Sequence, residues 1–252
     1  MDQMEKRFYD HVSEYDTQDE RIDLKLKHSY EVAQLADRIA DAVGADRKFA
    51  YIIGLLHDIG RFEQIRQCDT FDDMVLNHGV IGTKILFEDG LYDEIVTDRE
   101  YKNEKWRKIA QMAIFYHNTS SIPDCLDKET QTYCKILRDA DKLDIFRVHD
   151  VYHRGMLENI TENTPKARKE IFDCVIEHRI VTRDKSWYKI ASPFEYMVSI
   201  FCLWFDINYR TSKGIAKAQG YLKNLLSIKT PCAEINEQLK IIDRELGGIC
   251  DE

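Results

Sequence analysis

The chain has 252 residues, 44% of them hydrophobic and 32% charged, which is an ordinary balance for a globular protein with a sizeable core. Its formal net charge of −9 argues against a general nucleic-acid-binding surface. The seven cysteines are odd in number and include no C-x-x-C pair, which argues against a disulfide framework and against a zinc–thiolate site.

Only 4 prolines and 11 glycines occur, and most stand at the ends of periodic segments, which favours helices throughout. Apolar residues repeat at helical spacing over 24–43, ahead of a stop signal at Gly44. A short buried helix is predicted over 46–57, ending near Gly60. Further helices are predicted over 77–88, 104–117, 128–147, 165–179, 193–208, 212–226 and 232–245. Residues 180–191 are expected to form a short strand or a loop.

Neither an internal repeat nor a low-complexity linker divides the chain. We therefore expect one domain over 1–252, with a core at about 22–150 and a helical extension at about 151–252. The first residues show no apolar signal segment, and the most apolar run, 197–205, is too short to cross a bilayer. These features predict a cytoplasmic protein without a membrane partner.

Four histidines and two aspartates occur in an order that suits a metal centre: His28, His57, Asp58, His78, His117 and Asp141. Apolar residues precede two of them, at 53–56 and at 112–116. Imidazoles and carboxylates at apolar positions are costly to bury unless a cation pairs with them. A helical bundle could bring such residues together, and we therefore predict a buried metal site.

The order H…HD…H…H…D, together with LLHDIG at 55–60 and DADKLD at 139–144, resembles the HD-domain superfamily of metal-dependent phosphohydrolases. The resemblance covers about residues 22–150. It implies an all-α, HD-domain-like helical bundle, to which the carboxy-terminal helices are an addition.

The resemblance also implies metal ligands. Those that match the four ligands of one-metal members are His28, His57, Asp58 and Asp141. The residues that match the additional histidines of two-metal members are His78 and His117, and in such members Asp58 would bridge the ions. A shell rich in nitrogen favours one or two ions of Mn, Fe, Co, Ni or Zn over Mg²⁺ or Ca²⁺ alone.

Hydrolysis of a phosphoester needs an activated water and cations for the phosphoryl group. We predict three catalytic residues: Asp58, which would hold or bridge the ions, Arg61, which follows His57 by four residues, and Lys142. The last follows Asp141 directly, and in several HD phosphohydrolases a basic residue at this position faces the substrate phosphate.

The predicted function is metal-dependent cleavage of a phosphoester in a nucleotide or a small phosphorylated metabolite. Two alternatives stay open: a di-iron oxygenase of the inositol-oxygenase type, and a non-catalytic nucleotide-binding regulator. The expected partner is a small phosphorylated substrate, most readily a nucleotide, rather than long nucleic acid. The apolar carboxy-terminal helices are candidates for a homodimer face.

Overall fold

The computed structural model describes residues 2–182 and 191–250. Within these ranges every regular element is an α-helix or a 3₁₀-helix, and none is a β-strand. The predicted all-α fold is therefore confirmed. No helix of the described ranges combines the length and the apolar character that a membrane span requires.

The chain divides into two compact units, and the first extends over Met1–Asp141. Its core includes Phe8, Phe49 and Phe62, none of which exposes any surface. The helices of this unit are α1 (Gln3–Val12), α2 (Glu20–Val43), α3 (Arg47–Leu56), α4 (Ile59–Cys68), α5 (His78–Phe87), α6 (Leu91–Ile95), a 3₁₀-helix at Arg99–Lys102, α7 (Glu104–Tyr116) and the first part of α8 (Lys128–Tyr152).

The second unit extends over Lys142–Glu252 and begins within α8. Its buried aromatic residues include Phe146, Phe194 and Phe201. The helices that follow α8 are α9 (Gly155–Glu158), α10 (Lys169–Ile176), α11 (Pro193–Phe201), a 3₁₀-helix at Cys202–Asp206, α12 (Arg210–Gln219), α13 (Tyr221–Leu226) and α14 (Ala233–Glu245). The assignment of 1–252 to one domain stays a prediction.

Helix α2 illustrates how local signals set helix ends. The side chain of Asp19 caps its first turn by accepting a hydrogen bond of 2.8 Å from the backbone N–H of Arg21. At the other end Gly44 has φ of 73°, a left-handed conformation that glycine adopts without steric cost. The stop predicted at Gly44 is therefore confirmed.

The helix predicted over 46–57 is confirmed, but the role of Gly60 as its stop is wrong, because Gly60 lies in the first turn of a new helix. Helix α3 ends at Leu56 and α4 starts at Ile59. The helix predicted over 212–226 is likewise interrupted at Gly220, where φ is 78°. Residues 180–182 and 191 have no regular structure, and 183–190 lie outside the described residues.

Gly60 lies where α4 meets the backbone of α5. A Cβ atom on Gly60 would stand 2.1 Å from the carbonyl oxygen of His78 and 2.6 Å from the backbone nitrogen of Gly82. No side chain fits at such distances, so only glycine allows the two helices to approach this closely. The contact places the first turn of α5 beside the junction of α3 and α4.

A second glycine joins α3 to α2. A Cβ atom on Gly54 would stand 2.7 Å from the Cα atom of Ala33. Because both residues are small, the two helices pack with their backbones close together. This packing brings the end of α3 to the middle of α2.

We expect Gly60→Ala to lower the free energy of unfolding by about 2 kcal/mol or more, because α4 and α5 must separate to admit the methyl group. Urea denaturation measures the change. The control is Gly214→Ala in α12, where an added Cβ would meet no atom within 4 Å. That substitution should raise stability by about 0.5–1 kcal/mol. Equal effects of the two substitutions would contradict the close approach of α4 and α5.

Candidate metal centre

The six predicted ligands converge within the first unit, although they are far apart in the sequence. They are His28 in α2, His57 and Asp58 between α3 and α4, His78 in the first turn of α5, His117 at the end of α7 and Asp141 in α8. All but Asp141 are almost fully buried, and the Asp141 side chain is 16% exposed.

Three of the ligands form a first set, which consists of His28, His57 and Asp141. The His28 Nε2 atom lies 3.1 Å from Asp141 Oδ1 and 3.3 Å from His57 Nε2, and His57 Nε2 lies 3.7 Å from Asp141 Oδ1. The Oδ2 atom of Asp58 lies 3.5 Å from each of the two Nε2 atoms. The donor atoms of His28, His57 and Asp141 lie close enough together to hold one ion, and so do those of His57, Asp58 and His117.

The second set consists of His78 and His117. Their Nε2 atoms lie 2.8 Å apart. The Oδ1 atom of Asp58 lies 3.1 Å from His78 Nε2 and 3.6 Å from His117 Nε2. Asp58 thus turns one carboxylate oxygen to each set, which is the arrangement that a carboxylate bridging two ions needs.

The backbone around Asp58 explains why its carboxylate is available. Asp58 occupies the N-cap position of α4, with φ of −102° and ψ of 15°. Aspartate at this position commonly accepts a hydrogen bond from the helix backbone, but Asp58 makes no such bond. Its side chain faces the histidines instead.

Backbone carbonyl groups fix the tautomers of two histidines. The Nδ1–H of His57 donates to the carbonyl oxygen of Gly54 at 2.7 Å, and the Nδ1–H of His117 donates to that of Ile114 at 2.6 Å. A carbonyl oxygen only accepts, so Nδ1 carries the hydrogen and Nε2 presents a lone pair to the centre. Metal-binding histidines are held in this way.

Asp73 fixes the tautomer of His78. Its Oδ1 atom lies 2.5 Å from His78 Nδ1, so His78 also turns an Nε2 lone pair to the centre. The neighbouring lone pairs of His78 and His117 repel each other at 2.8 Å unless a cation lies beside them. The donor set therefore fits a transition-metal ion, for which imidazole nitrogen and carboxylate oxygen are suitable ligands.

Arg61 holds the same carboxylate oxygen of Asp73 that contacts His78. Its Nη1 atom donates to Asp73 Oδ1 at 3.0 Å, to Gln64 Oε1 at 2.7 Å and to the carbonyl oxygen of Phe71 at 2.9 Å. Burial by itself raises the pKa of Asp73, but the His78 ring and the Arg61 guanidinium reverse this effect and hold that pKa well below its usual range. Burial lowers the pKa of His78, as does Arg61.

Lys25 contributes a positive charge at Asp58. Its ammonium lies 2.7 Å from Asp58 Oδ2, and its side chain is 17% exposed. Burial raises the pKa of Asp58, but Lys25 and the His57 ring outweigh it, and the pKa lies well below its usual range. Burial likewise raises the pKa of Asp141, but the neighbouring His28 and His57 rings lower it well below that range. Both carboxyl groups are therefore ionised at neutral pH.

Arg138 holds the segment that follows His117. It lies one helical turn before Asp141 in α8 and is 3% exposed. Its Nη1 atom donates to the carbonyl oxygen of Tyr116 at 3.0 Å and to that of Thr119 at 2.5 Å. The end of α7 is thereby fixed against the helix that carries Asp141.

The two predicted catalytic cations differ in their positions. Arg61 lies beside the centre, with its Nε atom 3.8 Å from Asp58 Oδ1, but its guanidinium is engaged by Asp73. Lys142 belongs to the second unit, where its ammonium lies 2.8 Å from Asp206 Oδ2.

Three supporting residues were absent from the sequence prediction: Lys25, Asp73 and Arg138. Lys25 precedes His28 by three positions, and Arg138 precedes Asp141 by three positions, so helical spacing places each on the face of its ligand. This spacing could have been used to predict Lys25 and Arg138 from the sequence. Asp73 lies in an irregular segment between α4 and α5, where no periodicity indicates which side chains turn inward.

The comparisons with known proteins give one finding. A family model described as HD domain matches residues 26–145, a segment that contains all six predicted ligands and ends before α9. No curated protein and no solved structure shows significant similarity to the chain.

We expect Asp73→Asn to weaken metal binding at the second set by about 10- to 100-fold, because His78 loses the carboxylate that orients its ring. Titration of metal-free protein with Mn²⁺ measures the affinity. Binding at the first set should change little, since Asp73 contacts neither His28 nor His57 in the structure.

The control for this substitution is Asp72→Asn in the same segment. Asp72 accepts a hydrogen bond from the backbone N–H of Met74 at 2.9 Å, which an asparagine oxygen can also accept. If Asp72→Asn weakened binding as much as Asp73→Asn, the specific support of His78 would be disproved.

Proposed function

Because the chain belongs to the HD-domain superfamily through residues 26–145, we propose that it is a metal-dependent phosphohydrolase. The substrate would be a nucleotide or a small phosphorylated metabolite, from which a phosphoester is cleaved. The observation that carries the proposal is the division of the Asp58 carboxylate between two sets of histidines. Such a division suits two ions rather than one.

The ion of the first set would be held by His28, His57 and Asp141, and that of the second set by His78 and His117. Asp58 would contribute one oxygen to each. A bound divalent transition metal lowers the pKa of a water molecule toward neutrality and offsets phosphoryl charge. The ligands are four imidazoles and two carboxylates, a composition that supports Mn, Fe, Co, Ni or Zn.

The side chains of the centre would orient the substrate and the attacking water. Asp58 acts by holding the two sets at a fixed separation. Arg61 acts as a positioning residue through Asp73, because its guanidinium donates to Asp73 at 3.0 Å. We keep Lys142 as a proposed contact for the substrate phosphate on the strength of its place directly after Asp141.

The negative net charge of the chain supports a small substrate over a long nucleic acid. The chain carries a formal net charge of −9, which disfavours the many phosphate contacts of long nucleic acid. A homodimer through the carboxy-terminal helices and a cytoplasmic location remain part of the proposal.

A di-iron oxygenase is the second candidate. The observation that favours it is the presence of His78 and His117 against Asp58, since a two-iron centre needs the complete set of six ligands. Tight binding of iron, with oxygen consumed during turnover, would support this alternative.

The first test combines elemental analysis of the purified protein with a phosphate-release screen over nucleotides and sugar phosphates, with each metal added in turn. We expect about one or two transition-metal ions per chain and phosphate release that depends on the metal. The absence of bound metal, together with no uptake on addition, would contradict the proposal. Metal occupancy without turnover would favour the non-catalytic regulator.

The second test is Asp58→Ala, which should abolish both metal binding and activity, because both sets lose an oxygen ligand and four imidazoles are left beside one carboxylate. Elemental analysis and the phosphate-release assay measure the two effects. The control is Asp10→Ala, since Asp10 pairs with Lys6 on the surface and its side chain is 58% exposed. Full metal content in the Asp58 variant would show that Asp58 is not a ligand.

A further inference from the structure

Lys25 occupies an unusual place for a lysine side chain. Lysine is seldom buried unless it is paired. The Lys25 side chain is only 17% exposed, and its ammonium pairs with Asp58 Oδ2 at 2.7 Å. The ring of Phe71 lies beside it, with 5.6 Å between the ammonium and the ring centroid. The charge is therefore held at the centre by one carboxylate and one aromatic face.

The Asp58 oxygen that pairs with Lys25 is also the oxygen of the first set. Oδ2 lies 3.5 Å from His28 Nε2 and 3.5 Å from His57 Nε2. An ion bound by this set would share Oδ2 with the ammonium, and the two positive charges would repel each other. A metal ion held by His28, His57 and Asp141 would therefore weaken the attachment of Lys25 to Asp58.

Lys25 has more N–H donors than the described part of the chain provides acceptors for. An ammonium has three N–H donors, and in the described part of the chain Asp58 is the acceptor that contacts it. Its stem is flexible, so the charge can move by a few ångströms. Arg61 differs, since Asp73, Gln64 and the Phe71 carbonyl all accept from its Nη1 atom, although its buried Nε has no hydrogen-bond partner in the described part of the chain.

We propose that Lys25 binds the phosphoryl group of the substrate, and that Asp58 holds its ammonium until metal and phosphate are bound. This inference rests on the proposed function and deepens it, because it assigns the binding of the phosphoryl group to a residue of this chain. The recognised chemistry is a phosphoryl dianion, with which an ammonium forms a charge-assisted hydrogen bond.

A purely structural counter-ion would behave differently. It would neutralise Asp58 in the metal-free protein and would have no effect on phosphate once metal was bound. The phosphate affinity of the metal-loaded protein therefore distinguishes a phosphate-binding lysine from a structural counter-ion. The metal affinity measures how strongly Lys25 competes with the metal for Asp58 Oδ2.

The experiment uses the full chain and the variants Lys25→Gln, Lys25→Met and Lys25→Arg. Glutamine can still donate a hydrogen bond to Asp58 without a charge, so we expect Lys25→Gln to fold even if Lys25→Met does not. The control is Lys27→Met on the same helix, because Lys27 pairs with Asp23 and its side chain is 55% exposed. Mn²⁺ titration of metal-free protein is followed by calorimetric titration of the Mn²⁺-loaded protein with inorganic phosphate.

We expect Lys25→Gln to weaken phosphate binding by about tenfold or more, as the loss of a charged hydrogen bond implies. Its Mn²⁺ affinity should be equal to that of the unmodified protein or higher. Lys25→Arg should recover most of the phosphate affinity, and Lys27→Met should not differ from the unmodified protein. KM for the substrate should rise more than kcat falls.

Unchanged phosphate affinity in Lys25→Gln, with Mn²⁺ bound, would overturn the inference and leave the proposed function intact. A different failure would show in the unmodified protein. If that protein bound Mn²⁺ but neither bound phosphate nor released it from any substrate, the proposed function and the inference would both be overturned.

Discussion

Two ionised carboxylates and four imidazoles meet in an almost fully buried space. The need to compensate these buried charges is the main constraint on the structure of the first unit. Asp58 is central to it because each of its oxygens lies against a different set of histidines. Buried charges of this kind are stable only when cations pair with them. The Lys25 ammonium meets part of that demand within the protein, and bound metal ions would meet the rest.

Helix ends and close helix packing produce the geometry of the centre. His57 and His117 are the C-cap residues of α3 and α7, so their rings can donate to carbonyl oxygens three residues earlier and still face inward with Nε2. Gly60 lets α5 approach the beginning of α4. The fold and the centre are thus coupled, because a contact that stabilises the helices also determines where the ligands lie.

Supporting residues form a second layer around the ligands. Asp73 orients His78, Arg61 holds Asp73, and Arg138 fixes the end of α7. Each of the two arginines is engaged by acceptors of the protein, whereas the Lys25 ammonium has one acceptor in the described part of the chain. This contrast is the reason to assign structural support to the arginines and substrate binding to the lysine.

The sequence by itself determined the all-α class, the stop at Gly44 and the six residues that meet at the centre. Helical periodicity and the order of the ligand residues are local or linear properties, and a single chain displays them directly. Gly60 was misread as a helix end, because a glycine that permits close packing cannot be told from one that ends a helix until its neighbour in space is known. The tertiary structure alone decided which Asp58 oxygen faces which histidines, and it alone paired Lys25 with Asp58 and Asp73 with His78. These contacts join residues that are distant in sequence or lie in an irregular segment, so no spacing rule encodes them.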